Sequence, residues 1–457
     1  MKKSAFESEK EEVSSILKII MKRDFSKKGY SGLAVKNSIF SFLTSFTGKI
    51  GGLLFTIIIA RILMPELFGL YSLVISTVFI FISLADLGIG SAIIKFTSKS
   101  HSKKEKSKSK GYFLYLLKLK IIVISILVFS LGILSKVLAE NYYQKPIFLG
   151  LLAGIFYLIA FGFTDFMQSL FQSVNKFKYI WHKEIIIQIL RLAIVPLTTV
   201  YILKNAISQE WNLFWIILAL SIAYLLALLF LLFISKNKFP FMKSEVKTPS
   251  EKKKKMIKMF ILPLSATILT DAFFGNIDIL MLGRFVSAEY IGFYKAAFTL
   301  VLSIAPLLAF SNALYPIFTK LKGKRLEEGF KKSLRIVVPL STALFFGILL
   351  FAPLIIQIVF GNEYSPAISL LRLFSVIMLS LPATQIYSSY FIARGKSFEL
   401  MKFILTSTVL NIVLNLIAIF WLLQYGEYTA VFGVAMATII SRYFLLGLFI
   451  IKRKKVK

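Results

Sequence analysis

Lys49, Arg191 and Arg442 stand near the middle of long apolar runs, and Lys295 and Arg372 stand in the outer third of theirs, close to where each run begins. An ionised side chain costs roughly 2.5–3.5 kcal/mol or more at the centre of a bilayer, so each should face protein or a wet cavity. Polar residues share their helical faces. Ser41, Ser45 and Lys49 recur at i, i+4 and i+8, Gln188 lies three before Arg191, and Thr438 lies four before Arg442. Ser407, Asn411 and Asn415 form an uncharged stripe suited to hydroxyl groups. Five deep cations against a few acids leave a net-positive interior, whose chemistry is anion binding. Guanidinium is weakly hydrated and grips phosphate through two parallel hydrogen bonds. Lys49, Arg191, Arg442, Lys295, Arg372, Asn411 and Asn415 are therefore the candidate substrate-binding residues, with a phosphate or pyrophosphate as the group bound. The bland alternative is that Arg372 snorkels outward and Lys295 pairs with an acid such as Asp278.

The carboxylates divide into two sets. Thr267, Asp271 and Asp278 share one face, and the two acids, one heptad apart, are candidates for Na+ or H+ coupling or for internal pairing. Asp86 and Asp165 lie about two turns from the basic ends of their runs, where a structural ion pair or a gate latch is expected. Lys118 and Lys120 lie near the end of theirs and are expected to snorkel. Only His101 and His182 occur, too few for a histidine metal cluster, and without cysteine there is no disulfide or thiol chemistry. No G-x-x-x-x-G-K-[ST] motif is present, and the outer connections are too short for a catalytic domain. The expectation is a transporter that is not an enzyme and carries no cofactor.

Composition says what must hold these residues. Of the 457 residues 57% are hydrophobic and only 17% charged, against globular averages of roughly 45–50% and 25%. The apolar residues run in blocks near the ~20 residues that span a bilayer. Twelve helices are expected, at about 37–61, 68–95, 112–137, 147–173, 179–203, 212–235, 257–283, 289–318, 330–358, 366–393, 399–423 and 430–451. The excess of 55 Lys+Arg over 22 Asp+Glu, a net charge of +33, lies in short tracts between blocks. Anionic lipid and the positive-inside rule explain it better than nucleic acid does. The outer connections hold only Arg61, Lys136, Lys145, Lys204 and Arg284, so both termini are expected in the cytoplasm of a multi-pass plasma-membrane protein. Residues 1–36 form an N-terminal tail that lacks the apolar core of a signal peptide; within it Val13, Ile16, Leu17 and Ile20 have amphipathic spacing. The lobes are 37–235 and 257–451, separated by a basic linker, 236–256, and followed by a basic tail, 452–457.

The two lobes repeat. Arg61, Glu66, Gly69 and Tyr71 recur with identical spacing as Arg284, Glu289, Gly292 and Tyr294. Fainter echoes follow: Phe96, Thr97, Lys99 against Phe318, Thr319, Lys320; Asn141, Tyr143, Pro146 against Asn362, Tyr364, Pro366; Lys176 against Lys396. Six spans per repeat is even, so both halves insert the same way, as parallel repeats about an axis along the membrane normal with a path between them. The repeated motif reads as structural: Pro65 and Glu66 suit a helix start and Gly69 permits close helix approach. Prolines inside spans cluster in the second half (Pro263, Pro306, Pro316, Pro339, Pro353, Pro382) against Pro196 in the first, and kinks there could open a cavity.

Ala60 to Tyr71 followed by Asp86-Leu87-Gly88 resembles the opening signature of polysaccharide biosynthesis flippases of the multidrug/oligosaccharidyl-lipid/polysaccharide exporter superfamily. Asp278 to Gly283, Gly292-x-Tyr294 and Phe360 to Tyr364 are similar to that family's second-half patterns. The resemblance covers essentially the whole chain. It implies an all-α, V-shaped, two-lobe transporter of twelve transmembrane helices that alternates between inward and outward openings. The cargo it implies is a polyprenyl-(pyro)phosphate-linked oligosaccharide moved from the inner to the outer leaflet, with a glycan polymerase and glycosyltransferases as partners. Lipid II flippases usually carry two further helices, which makes a peptidoglycan precursor a poorer fit. A cation-coupled multidrug exporter and a non-transporting scaffold for glycan assembly are the alternatives.

Overall fold

The computed structural model describes residues 29–205, 208–309 and 323–454, with the side chains of Thr267 and Asp271 outside the described set. The amphipathic stretch of the N-terminal tail and the echo at Phe318 to Lys320 also lie outside the described residues. All described elements are helical: α1 (Gly29–Asp86), α2 (Ile89–Ser102), α3 (Lys106–Lys136), α4 (Phe148–Ser173), α5 (Phe177–Lys204), α6 (Gln209–Lys238), α7 (Glu251–Phe285), α8 (Ala288–Ala309), α9 (Gly323–Val359), α10 (Ala367–Ser375), α11 (Ile377–Ala393), α12 (Ser397–Leu422) and α13 (Glu427–Lys454). Among the described residues nine helices are long and apolar enough to cross a membrane, or ten when α10 and α11, bent by 44°, count as one span. In that tally the stretch from Lys36 to Ser102 counts once, although Met64 (φ 60°, ψ 169°) breaks it into two crossings.

The break at Met64 has a local cause. The residue before a proline is pushed out of the α region, and Pro65 then supplies the fixed φ of a helix start. Elsewhere the helices overrun the expected spans. α6 continues through Lys236 and Lys238, and α7 begins at Glu251 rather than near 257. Lysine is a good helix former, so a charge run marks where the bilayer ends and not where the helix does.

Packing makes one joined end and one split end. A single apolar core draws on both lobes, from Phe55, Leu63, Leu73 and Leu151 to Leu282, Tyr294, Tyr364 and Phe374. At the lysine-rich end it gives way to two separate cores. One is built on Ile93, Phe113, Phe171 and Phe241, the other on Phe330, Tyr390, Leu400 and Phe449. Both arms of the V thus meet at the lysine-poor end.

That junction is reciprocal. A methyl group on Gly69 would overlap the carbonyl of Ala288, and one on Gly292 would overlap the carbonyl of Pro65, so each repeat's glycine receives the other repeat's helix start. Tyr143 of the first lobe packs on Gly283 of the second, while Tyr364 Oη donates to the carbonyl of Ala60 at 2.8 Å. In the repeat Tyr143 answers to Tyr364 and Ala60 to Gly283. Arg61 adds a clamp, its Nε donating to the carbonyl of Val359 at 2.8 Å and its terminal nitrogen to that of Ile358. The structural reading of the repeated motif is correct, and its role is to join the lobes.

Candidate anion-binding site

The first lobe holds its arginine at a half-buried face. On α5, Lys183, Glu184, Gln188 and Arg191 form one ladder: Lys183 pairs with Glu184 at 2.9 Å, Gln188 donates to Glu184 at 2.7 Å, and Arg191 donates to Gln188 at 2.9 Å. Helix α1 meets this ladder through glycines, because side chains at Gly48 and Gly51 would run into Glu184 and Gln188. The Arg191 guanidinium lies 4.5 Å from the centre of the Phe55 ring, and its Nε has no hydrogen-bond partner. Lys49, on the same stretch of α1, is partly buried. Among the described residues it makes no hydrogen bond or ion pair. Two cations with unspent donors, one lying on an aromatic ring, can bind an oxyanion without first breaking an ion pair.

The second lobe closes its arginine in. Arg442 is 7% exposed and sits 5.0 Å and 5.4 Å from the ring centres of Phe274 and Phe298. Beside it the Asp278 carboxylate accepts from Tyr294 Oη at 2.7 Å, Thr438 Oγ1 at 2.8 Å and Asn415 Nδ2 at 2.8 Å. Asn411 donates to Thr438 at 3.4 Å, and Ser407 donates to the carbonyl of Ser441 at 3.1 Å. The whole expected stripe of α12 is buried, with Asn411 and Asn415 at 1% and 0% exposure. These residues face one another in this conformation. The carboxyl of Asp278 is joined to tyrosine, threonine and asparagine donors, and Lys295 is not among its hydrogen-bond partners. Lys295 itself is half-buried on α8, and Arg372 is exposed on α10; neither side chain makes a hydrogen bond or ion pair among the described residues.

Between the lobes, toward the lysine-rich end, lies a cleft of about 400 Å³ lined by Ser83, Asp86, Lys120 and Asp165 from one side and Gly275 and Asn276 from the other. Lys118 is exposed, as snorkelling requires. Lys120 does not snorkel: it is 1% exposed, and its Nζ donates to the carbonyl of Ala85 at 2.9 Å, within electrostatic reach of Asp86 and Asp165. Residues two apart on a helix point to nearly opposite sides, so one lysine of the pair faces outward and the other the interior. That spacing was the available signal, and it was missed. Asp86 also accepts the backbone N–H of Gly90 at 3.0 Å, at the start of α2. The aromatic shelves Phe55, Phe274 and Phe298 went unforeseen because nothing in the spacing of one helix says which ring a neighbour supplies.

Residues 34–322, well over half of the chain, match the family model described as "Polysaccharide biosynthesis protein". The chain is 27% identical over 129 residues to the teichuronic acid biosynthesis protein TuaB of Bacillus subtilis, covering 27% of this chain and 26% of that protein. It is 27% identical over 179 residues to the probable low-salt glycan biosynthesis flippase Agl15 of Haloferax volcanii, covering 37% and 35%. The alignments thus span about a quarter to a third of the length of these curated relatives. Among solved structures, an inward-facing multidrug resistance MATE family transporter of the MOP superfamily superposes with a TM-score of 0.69 at 14% identity, covering 89% of this chain and 94% of that one. The shared fold is the two-lobe exporter fold.

Proposed function

Since the chain belongs to the polysaccharide biosynthesis protein family, we propose that it flips a polyprenyl-(pyro)phosphate-linked oligosaccharide across the membrane by alternating access. The observation that carries the reading is the half-buried cationic face of the first lobe, where Arg191 keeps an unpartnered Nε and Lys49 has no ion-pair partner among the described residues. A phosphate between them would gain charge-assisted hydrogen bonds, while the glycan stays in water and the polyprenyl chain in lipid. Positive-inside placement of the lysine-rich end puts both termini in the cytoplasm of the plasma membrane. The split end of the V then opens inward, and the seam between Gly69 and Gly292 must part for release on the other side. The glycosyltransferases that build the cargo and the polymerase that consumes it are its partners, and the chain itself carries no catalytic step.

Asp278 favours a second element. A carboxylate held by Tyr294, Thr438 and Asn415, with the amide oxygens of Asn411 and Asn415 unpartnered, is a place where binding Na+ or H+ would change the charge balance around Arg442. The same cluster supports the reading of a cation-coupled drug exporter, for which the MATE-like fold speaks. The two are separated in a deletion strain. Loss of surface glycan, restored by the wild-type gene but not by Arg191→Ala at equal protein level, is expected. Drug hypersensitivity with intact glycan would replace the flippase reading by the exporter one, and glycan restored by an Arg191→Ala/Arg442→Ala double variant would leave a scaffold.

A further inference from the structure

A second basic site lies on the outside of the first lobe, remote in kind from the Arg191 face. Between α3 and the start of α7 runs a groove of about 670 Å³ rimmed by Lys118, Lys254, Lys255 and Lys258. Its one acid, Glu251, is tied to Lys254 at 2.7 Å, so the rim keeps a clear positive excess.

The groove is built and not incidental. The segment joining the lobes forms its wall, and that segment is fastened to the first lobe at several points. Lys247 N–H donates to the carbonyl of Ser107 at 3.2 Å, and Lys110 Nζ donates to that of Ser244 at 2.7 Å. Gly111 on α3 lets the Lys247 carbonyl lie directly on the helix, where any side chain would overlap it. Phe239 and Phe241, each 1% exposed, anchor the segment's beginning against Phe171 and His101.

The apolar part of the groove says what enters it. Leu114 and Ile122 line it and are exposed, and the same helix continues with Ile126 at 61% and Phe129 at 72% exposure. On α7 the exposed residues after Lys258 are Met259 and Leu262, at 60% and 74%. A cluster of ammonium groups thus tops an apolar strip that faces the hydrocarbon of the bilayer. A soluble anion has no use for the strip, and a neutral lipid has none for the lysines. Basic recesses between transmembrane helices at a membrane surface are suited to anionic headgroups.

We propose that this groove binds an anionic glycerophospholipid of the leaflet that meets the lysine-rich end, with its phosphate among Lys118, Lys254, Lys255 and Lys258 and its acyl chains along Leu114, Ile122 and Ile126. The lipid would hold the linker and the start of α7 at the membrane surface. This site is independent of what the protein transports.

The test is native mass spectrometry of the purified full chain titrated with phosphatidylglycerol or phosphatidylcholine. Wild type should retain phosphatidylglycerol with roughly tenfold or greater preference, and the combined Lys118→Gln, Lys254→Gln, Lys255→Gln, Lys258→Gln variant should lose that preference. Arginine at the same four positions should keep it. A neighbouring basic recess on the other side of Thr248 and Pro249, which includes Lys99 and Lys103, supplies the control: Lys99→Gln with Lys103→Gln should leave the preference unchanged. No preference in wild type, an unaffected four-site glutamine variant, or equal loss in the control would each overturn the proposal. So would displacement of the lipid by soluble glycerol 3-phosphate, which would mark the site as one for a free phosphate.

Discussion

Each lobe carries an arginine stacked on an aromatic ring near the middle of a long apolar helix, and the two are held in different ways. Arg191 lies on Phe55 at the end of a ladder that begins with Lys183 and is half-buried, while the Nε of each arginine lacks a hydrogen-bond partner. Arg442 lies between Phe274 and Phe298, beside an aspartate that already accepts three hydrogen bonds. The two arginines are not counterparts in the repeat, since Arg191 lies on the fifth span of its lobe and Arg442 on the sixth of its own, and their neighbours differ as well: Phe55 in one lobe stands where Asp278 stands in the other. A cation beside a ring and an open face is free to meet a ligand, whereas a cation beside a buried carboxylate is part of the lobe's own packing. On the proposed function the same side chain would serve recognition in one half and internal order, or ion-linked change, in the other.

The largest effect that sharpens this contrast is expected at Asp278. Replacing it by alanine strands the buried donors of Tyr294, Thr438 and Asn415 and removes the carboxylate whose charge acts on Arg442, which should cost about 1–3 kcal/mol for each stranded donor and lower the melting temperature sharply. Asp278→Ala with Arg442→Leu should recover part of that loss. A stable single variant would mean that Arg442 is not held by this carboxylate.

Next comes the seam that both lobes share. Gly69→Ala places a methyl group on the Ala288 carbonyl, and overpacking of this kind costs about 1–3 kcal/mol. Here it should weigh against the closed lysine-poor end, so a cysteine introduced at Arg61 should label faster with an impermeant thiol reagent. Gly275→Ala meets nothing within 4 Å and should leave labelling unchanged. Equal labelling in both variants would remove the seam from the account.

Lys120→Met removes a buried ammonium between two carboxylates and should cost about 1–3 kcal/mol, with Asp86 and Asp165 then repelling each other across the cleft. If the melting temperature stayed at the wild-type value, the interior position of Lys120 would be irrelevant to stability. Smallest is Arg372→Ala. The residue is exposed, and a surface change of this kind is usually within about 0.5 kcal/mol, so neither stability nor transport should move. A transport defect there would restore Arg372 to the binding path.

Much of the fold was legible because repeats, prolines and glycines leave local marks. The spacing of Arg61, Glu66 and Gly69 against Arg284, Glu289 and Gly292 announced two equivalent halves, and Pro65 announced the break after Met64. What the spacing could not say is that the two copies touch, since one chain read linearly shows duplication and not contact. The helices run on to Lys238 and start already at Glu251, beyond the expected ends, because hydropathy reports the bilayer and lysine does not stop a helix. In the site, Arg191 and Arg442 looked alike because each lies near the middle of its helix with a polar residue one turn before it, Gln188 and Thr438. Their difference comes from residues far along the chain, Phe55 and Gly51 for one, Asp278 and Phe298 for the other. Lys120 was set aside on depth alone, although its position two residues from the exposed Lys118 placed it on the inward face.

The central claim is that Arg191 is the cation open to a cargo phosphate. It is tested by purifying the full chain, reconstituting it in liposomes with a fluorescent polyprenyl-pyrophosphate-linked oligosaccharide, and following leaflet accessibility over time. The account predicts protein-dependent transbilayer movement that Arg191→Ala abolishes while its melting temperature stays within a few degrees of wild type. Movement by Arg191→Ala at the wild-type rate would contradict it.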